Sequence, residues 1–202
     1  MDLTPVVLEG RHVRLVPLSL EHLPALWEVA RDPELWRWTQ ACIRGEADLR
    51  RYVETALRWR DQGTALPFAT TEAATGRVVG STRFANADAE HRRVEIGWTW
   101  VGTPWQRTAV NTEAKLLMLR HAFETLGCIR VELKTDALNQ KSRSAILRIG
   151  AREEGTLRSH NITETGRRRD TVYFSILDGE WPDVKQRLET MLAAREPSST
   201  AP

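Results

Sequence analysis

The sequence predicts an α+β fold (α/β mixed): a mixed, mostly antiparallel sheet flanked by helices. Three observations predict it. Runs that alternate apolar and polar residues come in pairs joined by short Gly-containing turns, the mark of antiparallel hairpins. One run, residues 92–101, is followed instead by a long helical stretch and a further strand at 129–135, which makes a right-handed crossover between parallel strands. Two more helical periods fall together between the first hairpin and the next strands.

Taken in order, residues 6–8 and 12–17 alternate about a turn at Gly10. Ser19 caps a helix whose apolar face is Leu23, Leu26, Trp27 and Ala30, with His22 where a full capping box has Glu or Gln. Asp32 and Pro33 start a short helical turn carrying Leu35, Trp36 and Trp38. Residues 46–61 hold the helical period through Leu49, Val53, Ala56, Leu57 and Trp59 and stop at Gly63. Residues 67–71 and 77–84 pair across a turn at 73–76. In 92–101, alternation puts Val94, Ile96, Trp98 and Trp100 on one face and Arg93, Glu95, Gly97 and Thr99 on the other, and Gly97 marks a bulge or a close approach. A helix over 111–126 ends at Gly127; His121 inside it and Cys128 after it read as structural residues. Asn139 caps a helix that runs through Ile149 to Gly150, and 154–162 with 171–177 make the last hairpin. A single domain is placed at 1–180, followed at 181–202 by an amphipathic helix over 183–194 and a disordered stretch at 197–200.

Composition narrows the class. With 41% hydrophobic and 28% charged residues, neither disorder nor a membrane protein fits. No run approaches the roughly 18 apolar residues that span a bilayer, and the N-terminus lacks a basic segment followed by an apolar one. Two cysteines, Cys42 and Cys128, are too few for a disulfide framework or a structural zinc site, so a cytoplasmic protein without a metal is expected. A net charge of +2 is too mild to imply nucleic acid. Arg167-Arg168-Arg169 is the only basic run and reads first as a solvated turn, with a substrate or phosphate contact or a nucleic-acid patch as alternatives. Neither a P-loop nor a Gly-x-Gly-x-x-Gly fingerprint is present.

Residues 94–114 read as a strand, a turn holding Gly102 and Pro104, and the first turn of a helix. That order aims backbone N–H groups and the positive end of a helix dipole at one point, which suits a ligand bearing phosphate. Here the sequence resembles the acyl-CoA-dependent N-acetyltransferases of the GNAT superfamily, in particular the RimJ/RimL-like branch. The family pattern after its fourth strand is Gln/Arg-x-x-Gly-x-Gly/Ala. Gln106 fits the first position, and Ala109 and Asn111 stand at the two small-residue positions. Asn139-Gln140-Lys141-Ser142, continuing to Gly150-Ala151, resembles the family's Asn-x-x-Ser/Ala helix and comes in the expected order, one strand later. The resemblance covers residues 8–178. It implies acetyl-CoA as co-substrate, a protein N-terminus or small-molecule amine as acceptor, and a homodimer. It also implies a sheet splayed between the family's fourth and fifth strands, here 92–101 and 129–135.

Site roles follow from the same resemblance. Backbone amides of Gln106, Arg107, Thr108, Ala109, Val110 and Asn111 would hold the CoA diphosphate, while backbone at Trp98, Trp100 and Val101 and the side chain of Asn139 would take the pantetheine arm. Direct acetyl transfer also needs an amine proton acceptor and a proton for the departing thiolate. Glu95 is the first choice for the base; its alternative is an ion pair with Arg93 or Arg83 across the sheet. Asn161 stands where some RimL-like enzymes are thought to carry Glu, which leaves His160 as a lesser candidate. Ile146 occupies the family's usual Tyr position, and Ser142 is the RimL-like donor to the thiolate, with a local backbone bond as its alternative. The two early helices match the family's lid over the acceptor, making Trp36, Trp38 and Trp59 candidate pocket walls, with core packing as the alternative. The departures at Ala109, Asn111, Ile146 and Asn161 support a second reading, a non-catalytic acyl-CoA-binding regulatory module of the same fold.

Overall fold

Each hairpin predicted from alternation forms, and together they make one sheet. A computed structural model describes residues 1–195, so the expected disordered stretch at 197–200 lies outside the described residues. The strands are β1 (Leu8–Glu9), β2 (Val13–Pro17), β3 (Ala65–Glu72), β4 (Val78–Asp88), β5 (Arg93–Val101), β6 (Arg130–Asp136), β7 (Arg152–Ile162) and β8 (Arg168–Leu177). They lie in the order β1-β2-β3-β4-β5-β6-β8-β7. β5 and β6 are parallel, joined by the crossover helix α3 (Ala109–Arg120), and the other neighbours are antiparallel. The sheet is thus mixed and mostly antiparallel, as expected.

Helices cover both faces. On one side α3, α4 (Gln140–Arg148) and α5 (Trp181–Ala193) bury a core that includes Val94, Ile96, Met118, Val131, Ile146, Phe174 and Leu188. α5 belongs to that core through Trp181, Val184 and Leu188, and its Trp181 stacks on Phe123 with ring centroids 5.5 Å apart. On the other side α1 (Leu23–Ala30) and α2 (Glu46–Asp61) enclose a second cluster with Leu26, Trp36, Val53, Ala69 and Trp100.

Strict alternation fails in the second half of β5. Trp98 takes a left-handed conformation, φ +48°, and the β4–β5 register slips between Ser81 and Arg83. An extra residue of this kind is a β-bulge, and it flips every later side chain to the opposite face. Trp100 therefore joins Trp36 under α1 and α2, not Val94 and Ile96. Thr99 turns to the α3 side. Gly97 marks the close approach: a Cβ there would stand 2.8 Å from Glu95 Oε1, so the bare backbone leaves room for the carboxylate.

Two other boundaries move for local reasons. α3 starts at Ala109, two residues before the predicted start, because Thr108 caps it by accepting the Val110 N–H on its Oγ1 at 3.3 Å. It ends in a π-helical turn, His121–Thr125, before Gly127 at φ +64°. β8 begins at Arg168, so the basic run is not a solvated turn: Arg168 is exposed, but Arg169 is only 8% exposed and Arg167 is ion-paired with Asp136.

Candidate active site

β5 and β6 pair over three rungs only, Arg93 with Arg130, Val94 with Val131 and Glu95 with Glu132. Beyond Glu95 both strands continue, to Val101 and to Asp136, with no pairing between them. Backbone groups on the facing edges are thereby left for a ligand or water. The opening has two differently furnished sides. On the lid side, Lys134 reaches across it, Nζ to Glu95 Oε2 at 2.7 Å, just past the last rung. Asn86 donates to the same oxygen at 2.7 Å. Burial works against the Lys134 charge, and the Glu95 carboxylate more than offsets it, so the Lys134 pKa is raised. On the helix side Lys115 is buried, and its one hydrogen bond among the described residues goes to Thr99 Oγ1 at 3.0 Å. Burial lowers its pKa from 10.5 to about 7.

The N-terminus of α3 lies at the end of the same strand. Its first-turn amides, including those of Ala109 and Asn111, have no carbonyl partner within the helix and point outward with the dipole. Val110 is already met by Thr108. Arg107, left-handed at φ +62°, turns the chain into the helix, and Arg195 from beyond α5 donates to the Arg107 carbonyl at 2.6 Å. From the end of α4, Arg148 donates to Thr112 Oγ1 at 3.1 Å. Burial, then the charges of Arg195 and Arg187, lower the Arg148 pKa, and no carboxylate pairs with Arg148 among the described residues. Asn111 Oδ1 is buried without a partner at the same place. Free amides and gathered guanidiniums fit a phosphorylated ligand.

The comparisons with known proteins agree with this geometry. The sequence pattern of the acetyltransferase (GNAT) domain matches residues 12–152. The chain belongs to the GNAT acetyltransferase family. YdaF of Bacillus subtilis (strain 168), provisionally named a ribosomal N-acetyltransferase, is 34% identical over 110 residues, which is 54% of this chain and 59% of YdaF. The chain thus spans less than two thirds of that relative. A structure from T. thermophilus, provisionally named an acetyltransferase, superposes with TM-score 0.87 at 38% identity, over 95% of this chain and all of that one. RimJ of Mycobacterium smegmatis, in complex with CoA-disulfide, shares the fold with TM-score 0.81 at 23% identity, over 96% and 97% of the two chains. These likenesses support the RimJ/RimL-like branch of the GNAT family.

Within this GNAT fold the expected site residues separate into groups. Trp98, Trp100 and Val101 lie on the part of β5 that pairs with β4 but not with β6, and Gln106 folds back to donate from Nε2 to the Val101 carbonyl at 3.0 Å. Asn139 caps α4 by accepting the Ser142 N–H at 3.1 Å, and Ser142 is half-buried in that first turn. Glu95 is paired, but with Lys134 across the opening and not with Arg93 or Arg83. Arg93 instead engages Asp88 and Glu132. Trp36 lies in the core with its indole N–H on the Ala30 carbonyl at 2.7 Å, whereas Trp38 is half-buried with Arg37 and Arg167 over its ring. Trp59 meets Trp98 edge to face, 5.3 Å between centroids. His160 is exposed on β7, 5.7 Å from the Tyr173 ring. Lys134 and Lys115 escaped sequence reading, because each is an ordinary strand or helix charge until the sheet brings it inside; Arg83 was read only as an alternative partner of Glu95, and Arg169 only as part of the basic run.

Proposed function

We propose that the chain moves the acetyl group of acetyl-CoA to a primary amine, of a protein N-terminus or a small molecule, by direct attack in a ternary complex. The parting of β5 and β6 beside the exposed N-terminus of α3 carries the reading, since one groove then offers a phosphate site and an unpaired strand edge to the same ligand. Acetyl-CoA supplies the activated acyl group and the thiolate leaving group. The first-turn amides of α3, with Arg107, Arg148 and Arg195, hold its phosphates; the free edge of β5 from Trp98 to Val101 and the Asn139 side chain orient its arm. Glu95, held in place by Lys134 and Asn86, is the acceptor for the amine proton, through water. Ser142 Oγ donates a hydrogen bond to the departing sulfur. The cytoplasm is the compartment proposed.

Thiol release from acetyl-CoA with a panel of amines tests this, after calorimetry has established CoA binding. Glu95→Gln is expected to lower kcat/KM at least about tenfold below pH 8 and less above it, where free amine is more abundant. A flat loss across pH removes the proton-accepting role from Glu95. CoA binding without thiol release for any amine makes the chain a binding module.

A further inference from the structure

One stretch of chain, residues 36–42 between α1 and α2, passes from one parted strand to the other on the lid side. At its start Trp36 packs on Trp100 of β5, ring centroids 5.3 Å apart. Two residues on, the Arg167 guanidinium lies 5.5 Å from the centroid of the Trp38 ring, and Arg167 is ion-paired with Asp136 at the end of β6. Trp100 and Asp136 both lie beyond the last rung between β5 and β6, and alternation with Lys134 puts Asp136 on the lid side. The turn between β7 and β8 fastens the rest of the stretch. The Glu164 N–H donates to the Gln40 carbonyl at 3.0 Å, and the Glu164 carboxylate accepts the Cys42 N–H at 2.7 Å. Each partner is itself stiff: the Thr39 N–H donates to the Trp36 carbonyl at 3.1 Å, and the Thr163 N–H to the Arg167 carbonyl at 2.9 Å.

Backbone groups of irregular loops usually face water or their own turn. Here one loop is paired with another 122 residues away along the chain, through a carboxylate whose charge strengthens the bond. The joined loops stand over the opening on the side where the Glu95 carboxylate meets Lys134, while the α3 end of the groove is left for acetyl-CoA. We propose that residues 36–42, tied down by Glu164 and Arg167, form a strap that selects acceptors by width. A slender amine, a small molecule or a free peptide end, passes beneath it to Glu95; the same amine carried on the surface of a folded domain is turned away. The inference rests on the acetyl-transfer reading for the place of the amine. Glu164 and Arg167 act through the strap and not on the reacting atoms, so they are positioning residues. Exclusion of this kind discriminates by the steric cost to the wrong acceptor and needs no added contact with the right one.

The test uses the full chain loaded with CoA. Calorimetry compares Ala-Ala-Ala-amide with the same tripeptide placed directly ahead of the first strand of a small folded domain. Hydrogen exchange reads the amides of residues 36–42, and thiol release with acetyl-CoA reads turnover. The free peptide is expected to bind about tenfold tighter than the carried one. In Glu164→Ala, and further in Glu164→Ala combined with Arg167→Leu, exchange over 36–42 should quicken and the ratio fall below about three, because the carried peptide gains. Glu164 is exposed, so its replacement spares the fold, and unchanged CoA affinity checks this. Equal binding of the two peptides by the wild type, a ratio that survives the double substitution, or exchange that neither variant quickens overturns the inference. A ratio that falls only because the free peptide binds more weakly marks a structural role and overturns it as well, as does the absence of peptide binding in either protein. Selective binding, relaxed in the double variant but with no thiol release, leaves the strap standing and sinks acetyl transfer; thiol release from free and carried peptides at equal kcat/KM does the reverse.

Discussion

Two buried charges on opposite faces of the sheet are treated in opposite ways. On the helix side, the Glu113 carboxylate accepts the backbone N–H groups of Arg11, His12 and Val13 at 2.9, 2.6 and 2.8 Å. Gly10 is bare because a Cβ there would lie 2.4 Å from Glu113 Oε2. That carboxylate is fully occupied in fastening the first hairpin to α3. On the lid side, Arg83 is deeper still, and its Nε and Nη2 have no hydrogen-bond partner among the described residues. The difference is one of saturation: Glu113 is satisfied by its own chain, whereas Arg83 keeps two buried donors unmatched among the described residues, a cost the rest of the fold must offset. Lys115 stands between the two, with one hydrogen bond and no acidic partner among the described residues.

Substitutions at the two kinds of site should therefore differ in what they damage. The largest effect is expected from Glu113→Ala, which strips three amides of their acceptor and should cost about 3 kcal/mol or more of stability in urea unfolding. A loss under about 1 kcal/mol would mean that water replaces the carboxylate and that saturation is no mark of structure. Next, Ala109→Asp should weaken CoA binding at least about tenfold by calorimetry without lowering stability, because a carboxylate favours a helix N-terminus while repelling phosphate. Unchanged affinity would place the phosphates elsewhere.

The last effect concerns Lys115 and appears as a slope in pH, not as a step. Its pKa falls from 10.5 to about 7 on folding, so between those values the unfolded chain binds a proton that the folded chain has released. Stability should then rise with pH across that window, by up to about 1.4 kcal/mol per pH unit, with the burial penalty present in full below it. Lys115→Met should abolish the rise. Parallel curves for the two proteins from pH 7 to 9 would show that the lysine keeps its proton in the fold.

The strand and helix order was legible, and so were the caps at Asn139 and the stop at Gly63, because each depends on the period or the turn chemistry of a few neighbouring residues. The turn and helix start at Gln106 to Asn111 were legible for the same reason. The faces of β5 were not: alternation assumes an unbroken pleat, and nothing about Trp98, a bulky residue, announces φ +48°. Strand 168–177 absorbed a basic run that composition assigns to solvent, since Asp136, 31 residues away from Arg167, is what draws it in.

By itself, the order of residues determined the sheet, the crossover, the capped helices and the family to which they point, since hydrophobic period and turn chemistry act over short stretches of chain. The partner of Glu95, the burial of Arg83 and Arg169, and the gathering of Arg148, Arg187 and Arg195 near one helix end were decided only in three dimensions. Charge interactions depend on distance and burial, and both are created when strands far apart in the chain are laid side by side.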